Sequence, residues 1–170
     1  LTYSLTKNDL SSKNKATQTF ITTDTSGLKS KISYKVKLSN GKFETNKSMR
    51  VHYSYTNNKI NFILLDYNGI ASNKAEIKIT DKNANKTIAT LNADQLAKKL
   101  TNTTKDSKGK IVEGVYSVDI KKFSIDKNDL AYIKIETTDG SGLTGYDMAK
   151  MKLKVVKQTG DSINDWDIVN

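Results

Sequence analysis

The chain has 170 residues and a hydrophobic fraction of 36%, with 8 Tyr and 4 Phe beside its Ile, Leu and Val, enough for a core and too much for wholesale disorder. It has no Cys, which excludes a disulfide framework, thiolate metal sites and a cysteine nucleophile together. Against 18 Asp plus Glu stand 28 Lys plus Arg, a formal charge of +10, yet only one residue, Arg50, is an arginine able to make bidentate phosphate or base contacts, so a nucleic-acid partner is not expected.

Taken in order, the segments alternate apolar and polar residues with a period of two, the pattern of half-buried antiparallel strands. Over Lys31 to Leu38, the residues Ile32, Tyr34, Val36 and Leu38 are predicted to face inward while Ser33, Lys35 and Lys37 face water. Arg50 to Tyr55 sets Val51, Tyr53 and Tyr55 on one face. Asn57 and Asn58 suit a two-residue hairpin turn, because asparagine tolerates positive φ. The denser Ile60 to Leu65 run reads as a strand buried on both faces. An Asp-Tyr-Asn-Gly-Ile turn at Asp66 to Ile70 leads to strands at Glu76 to Thr80 and Thr87 to Leu91, joined by a turn at Asp81 to Asn85. Asn92 and Gln95 then form a capping-box signal ahead of Leu96 and Leu100, predicting a helix of about two turns. Thr101 to Lys110 has no apolar residue and reads as an exposed loop. Strands follow at Val115 to Ile120 and Tyr132 to Thr138, and Met151, Leu153 and Val155 alternate with Lys150, Lys152 and Lys154. Exposed strands that carry Lys resist edge-to-edge pairing, so the lysines read as a solvated face. No run approaches the ~18 apolar residues of a membrane span, and no such span is expected.

The most informative feature is internal self-similarity. Thr2 to Leu28 matches Val115 to Leu143: Tyr3 falls on Tyr116, Phe20 on Ile135, and Thr22-Thr23-Asp24 with Ser26-Gly27-Leu28 on Thr137-Thr138-Asp139 with Ser141-Gly142-Leu143. The following strands align as well, Ile32, Tyr34 and Val36 with Met151, Leu153 and Val155. The period of about 115 residues is the size of one immunoglobulin-like domain.

Within one period the residues Asp66, Gly69 and Ile70, then Ile79 and Asp81, then Gly114, Tyr116 and Val118, and finally Tyr132, Ile133, Ile135, Asp139, Ser141 and Gly142 stand in order. This arrangement resembles the immunoglobulin-like and cadherin-like repeats of bacterial surface and secreted proteins. The resemblance implies an all-β, immunoglobulin-like antiparallel sandwich with one short helix in an insertion. Three regions are expected: residues 1–42 as the last three strands of one repeat, residues 43–158 as a complete sandwich, and residues 159–170 as a tail or the start of a linker. Either the strands missing from the first region come from elsewhere, by strand complementation from a neighbouring subunit or partner chain, or both regions join one compact sandwich as pseudo-symmetric halves.

Candidate sites are sparse. His52 is the only histidine and is predicted to face outward, so neither a transition-metal site nor a Ser-His-Asp relay has support. Glu76 and Glu136, near Lys78 and Lys134, read as members of cross-strand charge pairs rather than glycosidase carboxylates. No catalytic residues and no organic cofactor are expected. Calcium is the one cation for which residues offer themselves: Asp161, Asn164, Asp165 and Asp167 crowd the C-terminus, and Asp81, Asn83 and Asn85 form a second oxygen-rich spacing better read as a polar turn. Tyr67, Tyr146 and Trp166 are the aromatic residues in or beside loops that could stack on a sugar.

The expected role is therefore a non-enzymatic structural or adhesive module of a bacterial cell-surface or secreted protein: a spacer, an adhesin or a subunit of a surface assembly. Its expected partners are neighbouring repeats, copies of itself, or an anionic cell-wall polymer or glycan. An accessory carbohydrate-binding domain of a secreted glycan-active enzyme is the alternative.

Overall fold

Alternation becomes structure through one recurring five-residue turn. The computed structural model describes the backbone of residues 6–82, 85–157 and 162–169, and the side chains among these up to residue 152, Lys7 apart. In chain order the strands are β1 (Lys15–Thr23), β2 (Lys29–Ser39), β3 (Lys42–Lys47), β4 (Arg50–Thr56), β5 (Lys59–Leu65), β6 (Glu76–Asp81), β7 (Lys86–Asn92), β8 (Thr101–Lys105), β9 (Ile111–Asp119), β10 (Leu130–Thr138), β11 (Thr144–Lys157) and β12 (Ser162–Val169), with the helix α1 (Ala93–Lys99) between β7 and β8.

Between β1 and β2 the Asp24 carboxylate accepts hydrogen bonds from the Ser26 amide, the Ser26 hydroxyl and the Leu28 amide at 2.7–2.9 Å. Asp139 does the same for Ser141 and Leu143 between β10 and β11, also at 2.7–2.9 Å. In both, the first residue's amide donates to the fifth residue's carbonyl, and the fourth residue is a glycine at φ +81° or +80°. An L side chain rarely adopts that conformation, so Gly27 and Gly142 are what allow the chain to reverse within five residues. The fifth residue is buried in both copies, Leu28 and Leu143. Asp106 closes the β8–β9 hairpin and Asp126 precedes β10 through the same amide-to-carboxylate bonds.

The strands form two antiparallel sheets. The larger, eight-stranded sheet runs β1-β2-β11-β10-β6-β7, with β3 beside β2 and β12 beside β11; the smaller runs β4-β5-β9-β8. Their inner faces meet in one core: Ile60, Phe62 and Leu64 of β5 and Val118 of β9 from one side, Ile77 and Ile79 of β6, Ile133 and Ile135 of β10 and Met151 of β11 from the other. The molecule is an all-β sandwich, as the alternation predicts. Strand β5 differs in detail from the expectation of burial on both faces, because Ile60, Phe62 and Leu64 are buried while Asn61, Ile63 and Leu65 are half-buried. The outer face of the smaller sheet is only partly covered.

The capping box forms as predicted: Asn92 Oδ1 accepts from the Gln95 amide and Gln95 Oε1 from the Asn92 amide, each at 3.0 Å, and α1 buries Leu96. Thr101 to Lys110 is not a loop throughout. Its first five residues are β8, an edge strand on β9 with every side chain exposed, which is why it lacks the apolar signature of a strand. Ser33, predicted to face water, is buried. It exchanges bonds with Ser48, amide to Ser48 Oγ at 3.0 Å and carbonyl from the Ser48 amide at 2.8 Å. Asp81 is buried rather than an open turn residue, and its carboxylate accepts from the Ser124 amide. No helix among the described residues is long and apolar enough to cross a membrane.

Candidate functional site

The three-stranded meander β1-β2-β3 meets the rest of the chain along a short seam, and the polar groups of interest gather there. Lys31 of β2 pairs with Tyr146 of β11 in antiparallel register. Gly145 makes this approach feasible: a Cβ on it would lie 2.8 Å from the Lys31 carbonyl oxygen and 3.0 Å from Ser48 Oγ. Side chains tie the seam, with Ser30 Oγ donating to Asp147 Oδ1, Lys35 Nζ to the Ser141 carbonyl at 3.4 Å, and Tyr53 Oη to the Asp147 carbonyl at 3.1 Å. Burial pushes the Asp147 carboxyl above the ordinary carboxylate range, although the bonds from Ser30 and the Met148 amide pull the other way.

At one end of the seam lies a cluster of buried acids. Asp66, only 3% exposed, accepts the Asn68 amide on Oδ1 at 2.6 Å, while its Oδ2 is buried without a hydrogen-bond partner. Asn68 Nδ2 donates to Asp139 Oδ2 and to the Lys47 carbonyl, both at 3.2 Å. Asp66 is pushed up to about 8, first by burial and then by the neighbouring Asp139 carboxylate, with the Arg50 charge opposing. At neutral pH it is mostly protonated. The adjoining loops touch backbone to backbone, the Gly140 amide donating to the Gly69 carbonyl at 3.0 Å. A Cβ on Gly140 would lie 1.5 Å from Ser72 Oγ, so only glycine fits.

Along the seam, between β1-β2 on one side and β4 and β11 on the other, opens a crevice of about 190 Å³. Phe20, Ile32, Met49 and Val51 give it apolar walls, and Arg50, His52 and Lys31 line it beside Asp147 and Thr137. Thus the chain's one arginine and one histidine, two positions apart on β4, line the same opening. Among the described residues no carboxylate lies within ion-pair distance of Arg50, and the ion pair formed is Lys134 with Glu136 at 3.1 Å. Thr137 is 3% exposed and its Oγ1 has no partner.

The predicted sites fare unevenly. Tyr67 is 75% exposed on the loop after Asp66. Tyr146 is half-buried on β11 with Lys134 Nζ 5.0 Å above its ring. Asp161 and the side chains of Asn164, Asp165, Trp166 and Asp167 lie outside the described residues, as does Asn83. His52 is exposed, as predicted. Glu136 lies opposite Lys78 in the β6–β10 register but pairs with Lys134 of its own strand. Sequence reasoning missed Asp66, Arg50 and Thr137 as a neighbourhood; the one available signal was that Asp66, like Asp139, is followed three residues later by a glycine.

In comparisons with known proteins, no family model, no curated protein and no solved structure matches the chain.

Proposed function

We propose that the chain is a non-enzymatic structural or adhesive module of a bacterial cell-surface or secreted protein, made of immunoglobulin-like units and serving as a spacer, an adhesin or a subunit of a surface assembly. One observation carries this reading: the Asp24–Leu28 and Asp139–Leu143 turns repeat one another bond for bond, and the hairpins they close lie in one sheet, joined through β2 and β11. Repeated units that share a sheet are held by backbone ladders at their joint, which suits a rigid rod better than a flexible linker does. Loops at the ends of such a rod are free to vary and to bind. Neighbouring repeats or further copies of the chain are the partners this reading implies.

Single-molecule pulling on the chain between inert handles tests it. Discrete unfolding events separated by force-bearing plateaus are expected; smooth extension at low force, or release of reducing ends when the protein is incubated with bacterial polysaccharides, contradicts it. A second reading, an accessory carbohydrate-binding domain, is favoured by the exposed Tyr67 ring. Glycan-array binding that disappears in Tyr67→Ala, Tyr146→Ala or Trp166→Ala selects it instead.

A further inference from the structure

We propose that the crevice along the β2–β11 seam binds the oxyanion end of an acidic ligand, a carboxylate or phosphate group, with the Arg50 guanidinium as its anchor.

Three independent features point there. Arg50 is half-buried and has no ion-pair partner among the described residues. A guanidinium carries five donors in a planar fork that matches an oxyanion bidentately, and leaving it partly desolvated without an acceptor is costly. Thr137, nine-tenths buried and more, lines the same crevice with an unpartnered hydroxyl that can donate to an oxygen or accept from a ligand hydroxyl. Finally, a second cation, Lys31, lines the opening beside Arg50. Asp147, the carboxylate lining the crevice, already accepts from Ser30 Oγ and from the Met148 amide at 2.9 Å, and Asp66, which the Arg50 charge also reaches, lies beyond ion-pair distance, so neither holds the guanidinium.

The walls refine the ligand. Phe20, Ile32 and Val51 supply an apolar flank, and about 190 Å³ admits roughly one ring behind the charged group, less than the ~300 Å³ or more of a drug-sized site. An oxyanion on a small ring or short chain, such as a uronic acid residue or a glycerol phosphate unit of a polymer, has this chemistry. The inference does not rest on the spacer reading, since pulling experiments and ligand titration fail separately.

The test is an NMR titration of the full chain at low salt with sodium glucuronate and, separately, with glycerol phosphate, against glucose as the neutral control. Saturable shifts at Arg50, Thr137 and Ile32 are expected with one or both anions at affinities on the order of millimolar, and none with glucose. A response to glucuronate alone identifies a carboxylate source and one to glycerol phosphate alone a phosphate source. Arg50→Gln should weaken binding at least tenfold and Thr137→Val about threefold, while Lys134→Gln, outside the crevice, leaves it unchanged. Arg50→Lys keeps the charge and guards against a folding defect: it should melt like the parent yet bind several-fold more weakly, because an ammonium cannot form the fork. Absence of shifts, shifts scattered over the lysine faces, or full affinity in Arg50→Lys overturns the proposal.

Discussion

Asp139 and Asp24 hold equivalent turns, but their surroundings set different consequences. Asp139 is fully buried and accepts four hydrogen bonds, three from its own turn and one from Asn68. Removing it in Asp139→Ala strands those donors and should cost about 3 kcal/mol in a denaturant titration. Asp24→Ala, in an open turn, should cost clearly less. Asp66 adds a pH dependence. Its folded carboxyl titrates at about 8 against the ordinary 3.8, so the folded state holds the proton more tightly than the unfolded chain. The stability this contributes is full below about pH 4 and is lost as pH rises through about 8; Asp147 acts in the same direction. The melting temperature should therefore fall between pH 5 and 8, and Asp66→Asn, whose amide stands in for the protonated acid, should flatten that fall. A parent and variant with parallel profiles would contradict this. The turn at Asp139 was legible from its repeat at Asp24, whereas its meeting with Asp66 was not, because nothing local in either segment encodes a contact between loops so distant in sequence.

Strands were legible wherever one face is apolar and the other polar, and α1 through the Asn92 and Gln95 pair. Asn92→Ala should cost about 1 kcal/mol by removing the cap. Strand β8 escaped notice because an exposed edge strand needs no apolar residues, and Ser33 because period-two reasoning assigns faces without knowing that Ser48 waits opposite. The meander shows the same limit. β1 places Ala16 and Phe20 where β10 places Ala131 and Ile135, yet the former pair stays half-buried and the latter is fully buried, since β5 and β9 cover β10. At the seam, Gly145→Ala brings a methyl within 2.8 Å of the Lys31 carbonyl and should destabilise the fold by about 1–3 kcal/mol, with the loss localised to β2 and β11.

For the whole molecule, the two-sheet class followed from composition and alternation, and the likeness of the Asp24 and Asp139 turns followed from their shared residues. How the β1-β2-β3 meander sits against the sandwich did not, because one ladder pair, Lys31 with Tyr146, and scattered side-chain bonds such as Ser30 to Asp147 and Lys35 to Ser141 make the joint, and these leave no pattern in the sequence. The proposed spacer role depends on that joint being as firm as the sandwich. Residue-resolved native-state hydrogen exchange measures this directly. If the meander and the sandwich share one cooperative structure, the amides of Ser33 and Ser48 open with the same free energy as those of Ile133 and Ile135. If Ser33 and Ser48 exchange freely while Ile133 and Ile135 stay protected, the meander is an independent flap and the spacer reading is wrong.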